Sequence, residues 1–143
     1  MALLIDPDGY IAEGTGDNFF MVKKGALYTP EGRNILRGIS RSYVLELAEQ
    51  LDIPWHECNI EPFDIYEADE AFLTATPFCV LPTTHLNGLP IGDGKMGAIT
   101  QKLLDQWSEN VGVNIVQQIK DYAQEVENSQ QSASPTPYQF RRK

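Results

Sequence analysis

Short apolar runs alternate with turn residues through the first thirty positions. ALLID, YIAEG, NFFMVKK and ALYTP are separated by Pro7-Asp8-Gly9, by the glycines of EGTGDN and by Lys24-Gly25. Runs of this length with this punctuation predict an antiparallel β-meander. After Pro30-Glu31-Gly32 the period changes. In GISRSYVLELAEQLDIP, Ile39, Tyr43, Leu47 and Leu51 recur every fourth residue, with Val44 and Ala48 widening the stripe. This predicts an amphipathic helix ending before Pro54, with Ser40 placed like an N-cap. WHECNI alternates as a strand, and EPFDIYEAD reads as a short helix or turn. EAFLTATPFCVLPTTHLNGLPI reads as a buried strand followed by a β-hairpin closed around Asn87-Gly88. From Gly97, AITQKLLDQWSENVG and NIVQQIKDYAQEVEN predict two helices parted near Gly112. The closing SQQSASPTPYQFRRK is Ser/Gln/Pro-rich with a basic end. Residues 1–128 are therefore expected to form one folded domain and 129–143 a disordered tail.

Strands and helices mixed in this order predict an α/β or α+β architecture, and the opening hairpins argue against a purely parallel doubly wound sheet. No GxGxxG leads from a strand into a helix and no GxxxxGK[ST] occurs, so neither a dinucleotide fold nor a P-loop is indicated. Charge narrows the partners. With 11 Lys+Arg against 20 Asp+Glu the net charge is −9, and such a field repels nucleic acid and anionic membranes. Cys58 and Cys79 form no CxxC pair and have no histidine at metal-ligand spacing, so they read as thiols in a reducing cytoplasm rather than as a disulfide or zinc site. No apolar run reaches membrane-spanning length, and MALLIDPDGY lacks the basic start and apolar core of a signal peptide. The expected location is cytoplasmic.

Three stretches carry candidate chemistry. In EGTGDNFF, Glu13 ends a strand, and Gly14 and Gly16 leave backbone space beside it for a planar ligand. The plainer reading is a Gly-rich turn with Asp17 or Asn18 making an Asx-type bond. In LRGISR, the free N–H groups and positive end of a helix, together with the Ser40 hydroxyl, form a ready anion site. The plainer reading there is an N-cap serine with solvated arginines. In LTATP, Thr74 and Thr76 place two hydroxyls at the carboxyl end of a buried strand, where α/β proteins commonly hold ligands. Two candidate phosphate sites and one acid fit a cofactor with a phosphate at one end and a basic ring nitrogen at the other. Pyridoxal phosphate is such a cofactor, and a carboxylate beside its nitrogen favours the protonated ring. Gly92-Asp93-Gly94-Lys95 reads as turn geometry.

The runs IAEGTGDNFFMVKKGALYTP, ILRGISRSYVLELAEQLDIP, YEADEAFLTATPFCVLP and NGLPIGDGKMGAITQKLLDQW together resemble the class IV (fold type IV) aminotransferases. That group contains the branched-chain and D-amino acid aminotransferases and aminodeoxychorismate lyase. The resemblance spans about residues 3 to 107 and implies the family's C-terminal cofactor-binding domain, a pseudo-barrel of mixed strands with flanking helices. By resemblance, Glu13 is the partner of the pyridine nitrogen. Ile39 through its backbone N–H and Ser40 through backbone and hydroxyl cradle the phosphate, Thr76 belongs to the second phosphate-binding turn, and Asn18 holds the loop.

Two departures shape the functional expectation. The family's catalytic lysine, which holds the cofactor covalently and moves the proton, lies upstream of the matching segment, so no catalytic residue is assigned here. Pro77 stands where branched-chain enzymes offer a backbone N–H to the substrate carboxylate, and proline has none. The resemblance thus implies a truncated domain that can bind pyridoxal phosphate non-covalently without catalysing alone. It is expected to associate as a homo-oligomer or with a lysine-bearing partner domain. The alternative is half of a two-chain aminotransferase acting on a small amino acid, or an enzyme of the aminodeoxychorismate lyase type. No metal is expected.

Overall fold

The computed structural model describes residues 1–129. The chain runs β1 (Leu3–Ile5), β2 (Ile11–Gly14), β3 (Asn18–Lys23), β4 (Ala26–Pro30), α1 (Ile39–Gln50) and β5 (Trp55–Cys58). After a 3₁₀ turn (Asp64–Glu67) follow β6 (Glu70–Ala75), β7 (Cys79–Pro82), β8 (His85–Leu86), β9 (Leu89–Pro90), α2 (Ala98–Val111) and α3 (Ile115–Ser129). The architecture is mixed α+β, as the order of patterns predicts. Of the expected tail only Ser129, the last residue of α3, lies among the described residues; the disorder expected for the rest falls outside them.

Five strands form one sheet in the order β5-β4-β3-β6-β7. All neighbours are antiparallel except β4 and β5, which run parallel because α1 carries the chain across between them. The central run Phe19 to Val22 has no polar break because both faces of the sheet are covered. On one face Phe20, Val22, Leu27 and Phe72 pack against Val44 and Leu47 of α1 and Leu103 and Trp107 of α2. On the other, Phe19, Met21 and Leu73 pack against Ile11, Ile60, Ile65 and Ile91. Phe20 lies opposite Phe72 in the ladder and their rings stack at 5.1 Å. A one-residue slip of β3 would exchange the two sets, so both cores fix the register.

The β1–β2 ladder and the β8–β9 hairpin are separate two-stranded sheets, and Leu3 and Leu86 pack against the second face. The Asn87-Gly88 turn is where the sequence places it, with positive φ at both residues (51° and 82°), and Lys24-Gly25 turns β3 into β4 in the same way (52° and 81°). The sequence reading has no second hairpin between Ala75 and Cys79, yet β6 and β7 pair there. Thr74 stabilises that turn by donating from Oγ1 to the Cys79 carbonyl at 2.6 Å. The hydroxyl expected to face a ligand is thereby spent inside the turn.

Helix α2 starts against the sheet through Glu70, the first residue of β6. Its buried carboxylate accepts from the backbone N–H of Ile99 (2.9 Å) and of Thr100 (2.8 Å) and from the Thr100 hydroxyl (2.7 Å). These are orphan donors of a helix start, satisfied by an acid from a distant strand.

Candidate functional site

Glu13 is held at the end of β2 by the tight return of residues 14–17, closed by Gly14 N–H donating to the Asp17 carbonyl at 2.8 Å. The Asp17 side chain folds over Gly14, where an added Cβ would stand 1.8 Å from Oδ1. The backbone space expected at Gly14 for a planar ligand is therefore filled by this carboxylate. Gly16 has nothing within 4 Å of its missing Cβ, so that side of the loop is open. No Asx turn forms. Asp17 Oδ1 is buried without a hydrogen bond, and burial pushes the carboxyl pKa up, with the nearby Glu13 charge adding to the effect and the N-terminal charge opposing it.

Asn18 opens β3 and turns its amide across the end of the sheet. Nδ2 donates to Glu13 Oε2 at 3.1 Å and to the Leu36 carbonyl at 2.8 Å. Leu36 N–H donates to the same Oε2 at 2.9 Å. Glu13 Oε1 accepts nothing from the described residues. Asn18 thus makes two bonds, one to β2 and one to the segment that leads into α1, and Leu36 adds a third between those two segments.

At the start of α1 the cap is Gly38, in extended conformation, and no side chain caps the N–H groups of the helix end. This corrects the placing of Ser40 as N-cap: Ile39 is already helical, so Ser40 lies inside the first turn. Its side chain is buried and its hydroxyl takes no partner within the described residues. The first N–H groups of the helix are left bare. Arg41 also departs from the solvated reading, since it is buried and binds the Pro30 carbonyl and Glu57, fastening α1 to β4 and β5.

These elements surround one cleft of about 240 Å³ at the sheet end where β6 leaves. Glu13, Ile39, Ser40 and Thr76 all line it, so the four predicted residues share a site despite their separation in sequence. Asp17, Gly38 and Ala75 line it too, and among the described residues no lysine does. Sequence reasoning missed Asp17 as a wall of the site; an acid two residues beyond Thr15 in a glycine-rich loop gives no sign of which way it folds. An apolar lip borders the opening, with Leu4, Leu36 and Ile39 exposed by 43%, 75% and 88%. A larger groove of about 520 Å³ beside α2 and α3 gathers none of the predicted residues. Among the described residues no cluster of His, Cys, Asp or Glu could hold a metal, and no helix is long and apolar enough to cross a membrane.

Chemically the cleft is polarised. Its lining combines an acid with one unpartnered oxygen, Glu13, with the uncapped start of α1 at Ile39 and Ser40 and the hydroxyl-bearing Thr76. A ligand cationic at one end and anionic at the other complements it. The donor set fits the phosphate and ring nitrogen of pyridoxal phosphate: a residue with an unpartnered carboxylate oxygen, a serine with an unpartnered hydroxyl and an uncapped helix start all line the same space.

Known proteins agree with the geometry. The family model described as amino-transferase class IV matches residues 1–86. The chain is 43% identical over 102 residues to the branched-chain-amino-acid aminotransferase of Pseudomonas aeruginosa, covering 71% of this chain and 33% of that protein. To the putative branched-chain-amino-acid aminotransferase of Methanocaldococcus jannaschii it is 39% identical over 109 residues, covering 76% and 38%. The crystal structure of the T.th. branched-chain amino acid aminotransferase superposes with a TM-score of 0.75 at 35% identity, over 79% of this chain and 38% of that one. The same enzyme with pyridoxamine 5′-phosphate gives 0.73 at 36% identity, over 76% and 36%. The chain spans about a third of the length of the relatives it matches.

Proposed function

The chain belongs to the class IV aminotransferases, and from that premise we propose that it is a cofactor-binding domain that takes pyridoxal phosphate non-covalently and does not transfer amino groups alone. The observation that carries this reading is the convergence of Glu13, Ile39, Ser40 and Thr76 on one cleft that no lysine lines among the described residues. When bound, the cofactor supplies an electron sink for bonds to an amino acid's α-carbon. Glu13 Oε1 accepts a hydrogen bond from the protonated ring nitrogen and keeps the proton there by favouring the charged form. The backbone N–H groups of Ile39 and Ser40 and the hydroxyls of Ser40 and Thr76 donate to the phosphate, whose charge suits the positive helix end. Among the described residues none on the cleft wall offers an amine to capture the cofactor covalently or to carry a proton across the substrate.

The apolar lip supports a second reading, in which a lysine-bearing partner closes over Leu4, Leu36 and Ile39 and the two together form an aminotransferase or a lyase of the same group. The unpaired Cys58 and Cys79 suit a reducing cytoplasm. Equilibrium dialysis with pyridoxal phosphate, repeated on Glu13→Ala and Ser40→Ala, tests the first reading. Affinity is expected to fall about tenfold or more in each variant, and equal binding by all three proteins would remove the assignment. Amino transfer from leucine to 2-oxoglutarate by the purified chain would remove the claim that it is inactive alone. Transfer that appears only on adding a lysine-bearing chain establishes the second reading.

A further inference from the structure

The two oxygens of Glu13 have unequal fates. Oε2 is held by Leu36 N–H and Asn18 Nδ2, while Oε1 is left for the cleft. The same Asn18 nitrogen donates to the Leu36 carbonyl, two residues before the helix cap. Asn18 Oδ1 reaches the other way, to within 2.4 Å of where a Cβ on Gly38 would stand. One amide therefore touches the acid, the loop and the start of α1. Asn18 is itself 5% exposed and paired with Thr74 on the neighbouring strand β6, so the amide hangs from the rigid centre of the sheet. The acid end and the anion end of the cleft cannot shift independently while this side chain stands between them.

Resting on the reading of the cleft as a pyridoxal phosphate site, we propose that Asn18 is the positioning residue that fixes the span between the Glu13 carboxylate and the N-terminus of α1. The cleft then selects a ligand carrying a ring cation and a phosphate at one set separation over ligands carrying only one of the two. Two contacts on a rigid frame reinforce each other, because the first fixes the ligand for the second. Without the frame each contact acts alone. A ligand with both groups then binds hardly better than one with a single group.

The test uses the full chain and three probes: pyridoxal phosphate, pyridoxal and inorganic phosphate. The intact protein is expected to prefer pyridoxal phosphate to pyridoxal by about a hundredfold. In Asn18→Ala that preference falls by about tenfold or more, while affinity for inorganic phosphate changes by less than about threefold. Amide exchange at Leu36, measured without any ligand, accelerates about tenfold or more in the variant, because its N–H loses a fixed acceptor. A merely destabilised protein would lose affinity for all three probes together. Gly38→Ala, whose methyl group displaces the amide from the loop side, gives the same loss of preference and decides the matter if Asn18→Ala does not fold. A retained preference, or unchanged Leu36 exchange, overturns the role of Asn18 and leaves the cofactor reading standing. An intact protein that binds no pyridoxal phosphate overturns both.

Discussion

Helices α1 and α2 begin alike and are completed differently. Each follows a glycine in extended conformation, Gly38 or Gly97, and neither receives a cap from that residue. At α2 the Glu70 carboxylate enters from β6 and takes three donors, so the helix start is closed from within. An added Cβ at Gly97 would stand 2.0 Å from Glu70 Cδ, which shows how closely acid and helix meet. At α1 no carboxylate arrives. Ile39 and Ser40 line an open cleft, and the acid that lines it with them, Glu13, spends one oxygen on Leu36 and Asn18. A helix end satisfied by its own chain is structural, whereas one left bare beside a polar cleft is a place for an external anion.

Removing the acid at each helix start should break this contrast most sharply. Glu70→Ala strands two N–H groups and a buried hydroxyl, and is expected to cost about 3 kcal/mol. The measurement is a lowered urea midpoint at unchanged slope. Glu13→Ala strands the exposed Leu36 N–H and should cost about 1 kcal/mol in the same assay, while pyridoxal phosphate affinity falls about tenfold or more. If Glu13→Ala proved the more destabilising, the cleft would be a structural feature and not a binding site. The paired hydroxyls sharpen the same point at smaller scale. Thr100→Ala is expected to cost about 1.5 kcal/mol, whereas Ser40→Ala should stay within about 0.5 kcal/mol of the parent and lower pyridoxal phosphate affinity about tenfold. A parallel pair of melting curves for those two variants would contradict the distinction.

The contrast also marks what was legible in the sequence. Periodicity located α1 and α2, because the stripe Tyr43, Val44, Leu47, Ala48 and the run around Leu103 and Trp107 bury one face of each helix. Asn87-Gly88 located its hairpin because both residues accept positive φ. Ordered motifs singled out Glu13, Ile39, Ser40 and Thr76, and these four line one cleft. Long-range partners were not. That Glu70 caps a helix whose donors lie some thirty residues on, that Arg41 is buried on Glu57, and that Thr74 closes the β6–β7 turn all depend on how strands stack. Local spacing holds no trace of that. Ser40 was misplaced by two positions as a cap because Ser is a far better capping residue than Gly on propensity, and propensity does not see a cleft.

Asp17 and Glu70 extend the comparison from helix ends to buried acids. Glu70 shares three donors; Asp17 has an oxygen with none. Burial raises the pKa of Asp17, so the native state holds its proton more tightly than the unfolded chain does. Well below about pH 4 both states are protonated, and the ionisation contributes nothing to stability. As pH rises from there through the raised native value, the unfolded state gives up a proton that the native state retains, and stability falls. Asp17→Asn keeps the shape and removes the ionisation. The variant should therefore be more stable than the parent at pH 7, by up to about 1 kcal/mol, with the gain shrinking toward zero near pH 4. Thermal melts of both proteins at the two pH values measure it. A gain equal at both pH values would trace the effect to packing and not to charge. A loss at pH 7 would mean that Oδ1 is satisfied in solution, and Asp17 would then belong with Glu70 among the acids that hold the fold together.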